Sequence, residues 1–153
     1  MGFDGVISTM IIFIAVVGIT VLAVTSFKAI ADQSVSAMEE RSNVLNNRIK
    51  SDITILSVAF NSTHENITVT FQNTGKIKLD PETIDLFLNG YFVSRNSRVC
   101  FVEPSTDTLN PGILDPSEVA IIEMPAANLS SGTHRIKVTT QYGSSHEDSF
   151  SVE

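Results

Sequence analysis

The side chains with reactive chemistry are few and far apart. His64, His134 and His146 lie at wide spacing, with no HxH or HxxxH pattern to bring two imidazoles onto one metal. All three read as surface residues in or beside turns. Asp80, Glu82 and Asp85 form a compact group of carboxylates, the donor type that a hard cation takes. Asp80-Pro81 reads equally as the opening of a turn, and Asp85 as a residue facing out of a strand. Cys100 is the single cysteine. It excludes an intrachain disulfide and a multi-cysteine zinc site, and in the apolar run SRVCFVE it reads as a small buried hydrophobe. There is no glycine-rich phosphate loop and no GxSxG motif. The expectation is a chain that is not an enzyme, with no catalytic residue, cofactor or metal. One modification chemistry remains. Asn61-Ser-Thr, Asn66-Ile-Thr and Asn128-Leu-Ser are glycosylation triplets. They make Asn61, Asn66 and Asn128 candidate glycan acceptors on a head outside the cytoplasm, or plain turn residues.

The charge balance says more. The net charge of −7 over 153 residues argues against nucleic acid, which needs a basic surface. Residues 1–50 carry four acids and four bases, whereas residues 51–153 carry thirteen acids and six bases. A boundary near residue 50 follows, with a neutral segment before it and an acidic one after it.

The neutral segment opens MGFDGVISTMIIFIAVVGITVLAVTSFK, with no charge between Asp4 and Lys28. A helix over the 23 uncharged residues 5–27 covers about 35 Å, enough to cross a hydrocarbon core of ~30 Å. Its thirteen Ile, Val, Leu and Phe residues favour insertion by roughly 4 to 8 kcal/mol. Its Ser and Thr hydroxyls are tolerable in lipid because they can bond back to the preceding turn. A secretory signal would need a basic start, a shorter core and a small-residue cleavage site. A soluble core helix apolar all round would need protein on every side. The reading is a transmembrane helix, with Ile11, Ile12, Phe13 and Ile14 in lipid or in helix packing.

From Phe27 to Ser51 there is no Pro or Gly, so the helix is expected to continue as an amphipathic stalk. Val17, Val24, Ala31, Met38 and Leu45 fall at heptad steps, with Val35 and Ile49 beside them and Ser42 breaking the second row. This narrow stripe suits association with another helix, hence self-association. Its other use is to lie on the chain's own head.

Beyond Asp52 the period becomes two. ENITVTFQN places Ile67, Val69 and Phe71 on one side and Thr68, Thr70 and Gln72 on the other. Asn89-Gly90 between apolar runs is a strong hairpin signal, because a type I′ turn needs positive φ at both positions. RVCFVE, EVAIIEM, THRIKVTTQY and DSFSVE read as further strands, with residues 104–117 a long loop and GSSHE the last connection. Seven or eight short strands without a clear helix give an all-β antiparallel sandwich of immunoglobulin-like type. The fold class is therefore α+β: residues 1–50 a transmembrane helix and stalk, residues 51–153 a sandwich head.

This plan resembles archaeal type IV pilin-like proteins. GVISTMIIFIAVVGITVLAV is similar to the N-terminal helix of archaellins, the archaeal flagellins. The whole chain is more similar to the archaellum accessory proteins of the FlaF/FlaG family, through its MGF start, STMIIFIA, SDITILSVAF and VTFQNTGKIKLDPETIDLFLNGYFV. Archaellins carry a basic residue and a glycine before the apolar run for removal by a peptidase. Here MGFDG precedes it without Lys or Arg, so the segment reads as uncleaved.

For that family the resemblance implies a membrane-anchored structural part of the motility machinery. Its sandwich would bind the surface-layer protein or other archaellum subunits and act as a stator. The implied location is the cell membrane, single-pass, with the head outside. Lys28 after the span and Asp4 before it oppose that orientation weakly, on one charge. Two other readings stay open. One is a pilin- or archaellin-like filament subunit packed through its N-terminal helix. The other is an anchored solute- or cation-binding module using the acids at 80–85. An acidic head should also bind an acidic partner more tightly as pH falls.

Overall fold

The computed structural model describes residues 3–126 and 129–152, and side chains from residue 5 onward. Two compact units divide the chain between Asn43 and Val44.

The first unit is helical. Helix α1 runs Phe3–Lys50, and every side chain described from residue 5 to residue 43 is exposed. One 18-residue stretch reaches a mean hydropathy of 2.7. The hydroxyls bond back as expected for lipid-compatible Ser and Thr: Thr9 Oγ1 to the Gly5 carbonyl and Thr20 Oγ1 to the Val16 carbonyl, both 2.8 Å.

The second unit holds the end of α1 and eight strands: β1 (Ile53–Asn61), β2 (Asn66–Asn73), β3 (Asp85–Leu88), β4 (Tyr91–Val93), β5 (Val99–Val102), β6 (Val119–Pro125), β7 (Gly132–Thr139) and β8 (Ser145–Val152). They form two four-stranded antiparallel sheets, ordered β1-β2-β6-β5 and β4-β3-β7-β8. One apolar core joins both, with Phe71, Ile67, Val69 and Ile122 from the first sheet and Leu86, Ile136 and Val138 from the second. Strand β2 alternates as its sequence does, with Ile67, Val69 and Phe71 buried. Strand β1 does not, for a physical reason. Its register slips between Ile55 and Ser57, and such a bulge moves the following side chains to the other face. Ile53 and Ile55 point inward, Leu56 is left outside, and Val58 and Phe60 resume packing on the core.

The hairpin joining β3 and β4 has Asn89 at φ 52° and Gly90 at φ 84°, the paired positive values that its sequence foretells. Two expectations need correction. Ser145, His146 and Glu147 belong to β8 rather than to a connection. His134 and His146 lie in strands rather than as exposed turn residues, and His134 is buried. A strand's polar face and a turn have the same composition in SSHED, so the sequence alone does not separate them.

The segment after β2 ties the head together. Asn73 is fully buried; its Nδ2 donates to the carbonyls of Ile77 (2.8 Å) and Leu114 (3.0 Å), and its Oδ1 accepts from Gly75 N. Gly75 N donates to the Asp52 carbonyl and Lys76 N to the Lys50 carbonyl, at 3.0 and 2.7 Å. A Cβ on Gly75 would lie 2.5 Å from the Lys50 carbonyl oxygen. Only glycine permits this approach. The terminal carbonyl of the helix is thus satisfied by the turn beyond β2, as helix ends require.

Candidate functional site

The residues assigned to lipid or helix packing are Ile11, Ile12, Phe13, Ile14, Val17, Val24, Ala31, Val35, Met38, Leu45 and Ile49, and all lie exposed on α1. They form a large apolar surface with no protein packed on it among the described residues. In water such a surface is strongly unfavourable, and lipid or other helices must cover it.

Two of the three candidate glycan acceptors lie at one turn. Asn61 ends β1 and Asn66 begins β2, directly paired across the hairpin. Asn61 is exposed, and its Oδ1 accepts from Thr63 N and His64 N at 2.9 and 3.2 Å. Asn66 is half-buried. Asn128 lies outside the described residues.

The reactive side chains are spoken for individually. His134 bridges Asn89 Nδ2 (2.9 Å) and the Ser130 carbonyl (2.8 Å). His146 Nδ1 accepts from Ile55 N at 3.3 Å, joining β8 to β1. Asp80 Oδ1 accepts from Glu82 N, and Asp85 takes Arg95 at 2.8 Å. Asp80 and Asp85 therefore serve separate partners. Among the described residues no three His, Cys, Asp or Glu side chains converge as for a metal. Cys100 is partly buried against the core, and burial pushes its thiol up to about 11. It is a neutral, unreactive thiol at neutral pH.

Residues 104–117 are held rather than loose. Glu118, 4% exposed, accepts from Thr108 N through Oε1 and from Asp115 N through Oε2, each at 2.9 Å. Burial opposes its charge. The backbone donors of Thr108, Asp115 and Leu109 outweigh burial and hold the carboxyl below the ordinary glutamate range. Sequence gave no sign of this acid, because its role depends on where the loop closes.

The two sides of the sandwich differ. On one side β1 meets β8, where Ile55 N donates to His146 Nδ1. On the other lie the edge strands β4 and β5. There Tyr91 is 80% exposed and Val99 61%, with Phe92 and Phe101 also exposed. The strands β4 and β5 themselves carry no charged residue, and such an apolar edge could add a partner strand. The outer face of β3 and β7 carries a shallow groove of about 570 Å³ lined by Phe87, Asn89, Arg135 and Lys137.

The described residues thus combine a helix long and apolar enough to cross a bilayer with a two-sheet sandwich. Comparison with known proteins gives the family. The archaeal-type flagellin model matches residues 2–150, and the chain belongs to that family. This is an archaellum-related structural protein of a family that is not one of enzymes. A protein of Archaeoglobus fulgidus, described as uncharacterized, is 30% identical over 159 residues, covering 99% of this chain and 98% of its own. Among solved structures, the archaellum periplasmic stator protein FlaG from Sulfolobus acidocaldarius aligns with TM-score 0.50 and 16% identity, over 65% of this chain and 99% of the solved chain. The periplasmic stator complex of FlaF and FlaG from the same organism aligns with TM-score 0.45 and 20% identity, over 65% of this chain and 88% of that one. The FlaG likeness is one of fold.

Proposed function

We propose that the protein is a membrane-anchored, static part of the archaellum, with α1 in the bilayer and the sandwich docked on the surface-layer protein or on another archaellum subunit. The observation that carries this reading is the helix surface from Val6 to Val24, apolar on every side and unpacked. Lipid satisfies such an all-round surface. A coiled-coil partner covers only a stripe. FlaG, described as a periplasmic stator, shares the fold of the head, and an external head agrees with the sequons at Asn61 and Asn66. Resistance to torque needs two grips, and the β4/β5 side offers the second.

A filament subunit is the other reading. It is favoured by the family match over residues 2–150, since helices of many copies can also cover an all-round apolar surface. One fractionation separates the two. Filaments are sheared from cells, membranes are washed, and both are probed for this protein, with its N-terminus read by mass spectrometry. Protein in the membrane with residues 1–27 intact supports the anchor. Protein in sheared filaments with a trimmed start overturns it.

A further inference from the structure

The link between β4 and β5 is a short 3-10 turn, Arg95–Ser97. Beside it lies a cleft of about 400 Å³, lined among others by Glu82, Arg95, Asn96, Arg98 and Cys100. Arg98 is unusual there. It is 8% exposed, and its Nη2 donates to the Ile84 carbonyl. Its Nε has no hydrogen-bond partner among the described residues.

Nor does Arg98 have a counter-ion. The ion pairs of the described residues are Arg95–Asp85 and Arg135–Glu147. Asp85 acts on Arg98 from nearby, yet its Oδ1 is taken by both Nε and Nη2 of Arg95, at 3.0 and 2.8 Å. The Cys100 thiol lies against the guanidinium, but it is neutral and a weak acceptor. A buried guanidinium stays charged, and a buried charge is costly unless it is paired.

We propose that this cleft is an oxyanion site, in which a carboxylate, sulfate or phosphate group accepts from the Arg98 guanidinium, with Arg95 and Asn96 as further donors at the rim. Arginine suits such groups because its planar donors match two oxygens at once. The group arrives either as a free ion or as the side-chain carboxylate of an acidic protein segment. Glu82 faces the same cleft and opposes the ligand, which gives the site a second signature. Anion binding at this cleft does not require the stator role.

The test uses the full chain in nanodiscs, labelled with 15N. Phosphate, sulfate and acetate are titrated against a sodium chloride control, and a short glutamate peptide against its glutamine counterpart. The signals followed are the Arg98 Nε–H and the backbone amides of Asn96 and Val99. Saturable shifts are expected with the oxyanions and not with chloride. Arg95→Gln, at an exposed residue, and Arg98→Lys should each weaken binding at least tenfold, about the worth of one hydrogen bond to a charged group. Glu82→Gln should tighten it roughly two- to fivefold. The exposed Arg95 and Glu82 variants decide the matter if Arg98→Lys does not fold. Tighter binding of the glutamate peptide than of acetate assigns the site to a protein carboxylate. The reverse order assigns it to a free ion. Shifts that fail to saturate, or that are unchanged in Arg95→Gln and Glu82→Gln, overturn the proposal.

Discussion

Single residues with no chemistry of their own decide how the head is held. Gly75 admits the end of α1 because it has no Cβ; an added one would lie 2.5 Å from Lys50 O and 2.6 Å from Asp52 N, both backbone. Gly75→Ala must therefore move main chain, at a cost of about 1–3 kcal/mol, read as a lower urea midpoint of the head. Glu118 gives a pH signature. Its folded carboxyl is held below its unfolded value of about 4.3. Its contribution is full above that value and fades as pH falls through the lower folded one. The gap in urea midpoint between the native chain and Glu118→Gln should be widest near pH 7 and close below about pH 4. A gap constant from pH 7 to pH 3 would show that Glu118 acts by packing alone. Asn89-Gly90 was legible because the turn needs those residue types. Arg98 and His134 were not, because each bonds to residues of other elements, and Glu118 was not, because its partners depend on where the 104–117 loop closes.

At the level of elements, α1 was readable from its uncharged apolar run and the lack of Pro or Gly after it, and β2 from its alternation. Strand β1 was half readable, because its bulge switches the inward face midway. The start of β8 was obscured by its polar residues. Sheet order was beyond sequence, so the β1/β8 side and the open β4/β5 side could not be told apart. The stripe Val17, Val24, Ala31, Met38 and Leu45 on α1 makes a prediction of its own. If like helices associate through it, Met38→Cys in a Cys100→Ser background should form disulfide dimers in native membranes, and Arg41→Cys, off the stripe, should do so far less. Equal cross-linking at both positions would mean collision without a specific seam.

For the whole molecule, charge is the property that matters. Residues 51–153 carry a net −7, a field that repels acidic partners at neutral pH and relaxes as carboxylates are protonated. Affinity for an acidic surface-layer protein should rise as pH falls from about 7 to 4 and should be salt-sensitive at pH 7. An affinity flat over that range would place the contact on apolar side chains, with Tyr91 and Val99 the first to mutate. The same titration would engage the cleft at Arg98 if the partner contributes carboxylates.

The bonds from Gly75 and Lys76 to the end of α1 also bear on the order in which the protein takes shape. The helix leaves the ribosome before the head, yet the Lys50 carbonyl gains its amide only after β1, β2 and the turn beyond them have been made. Until then the last turn of α1 is free to fray into water. Completion of the helix is thereby coupled to closure of the first hairpin. Pulse-labelled hydrogen exchange should show the amide of Lys76 gaining protection together with the β1–β2 ladder and not with the helix.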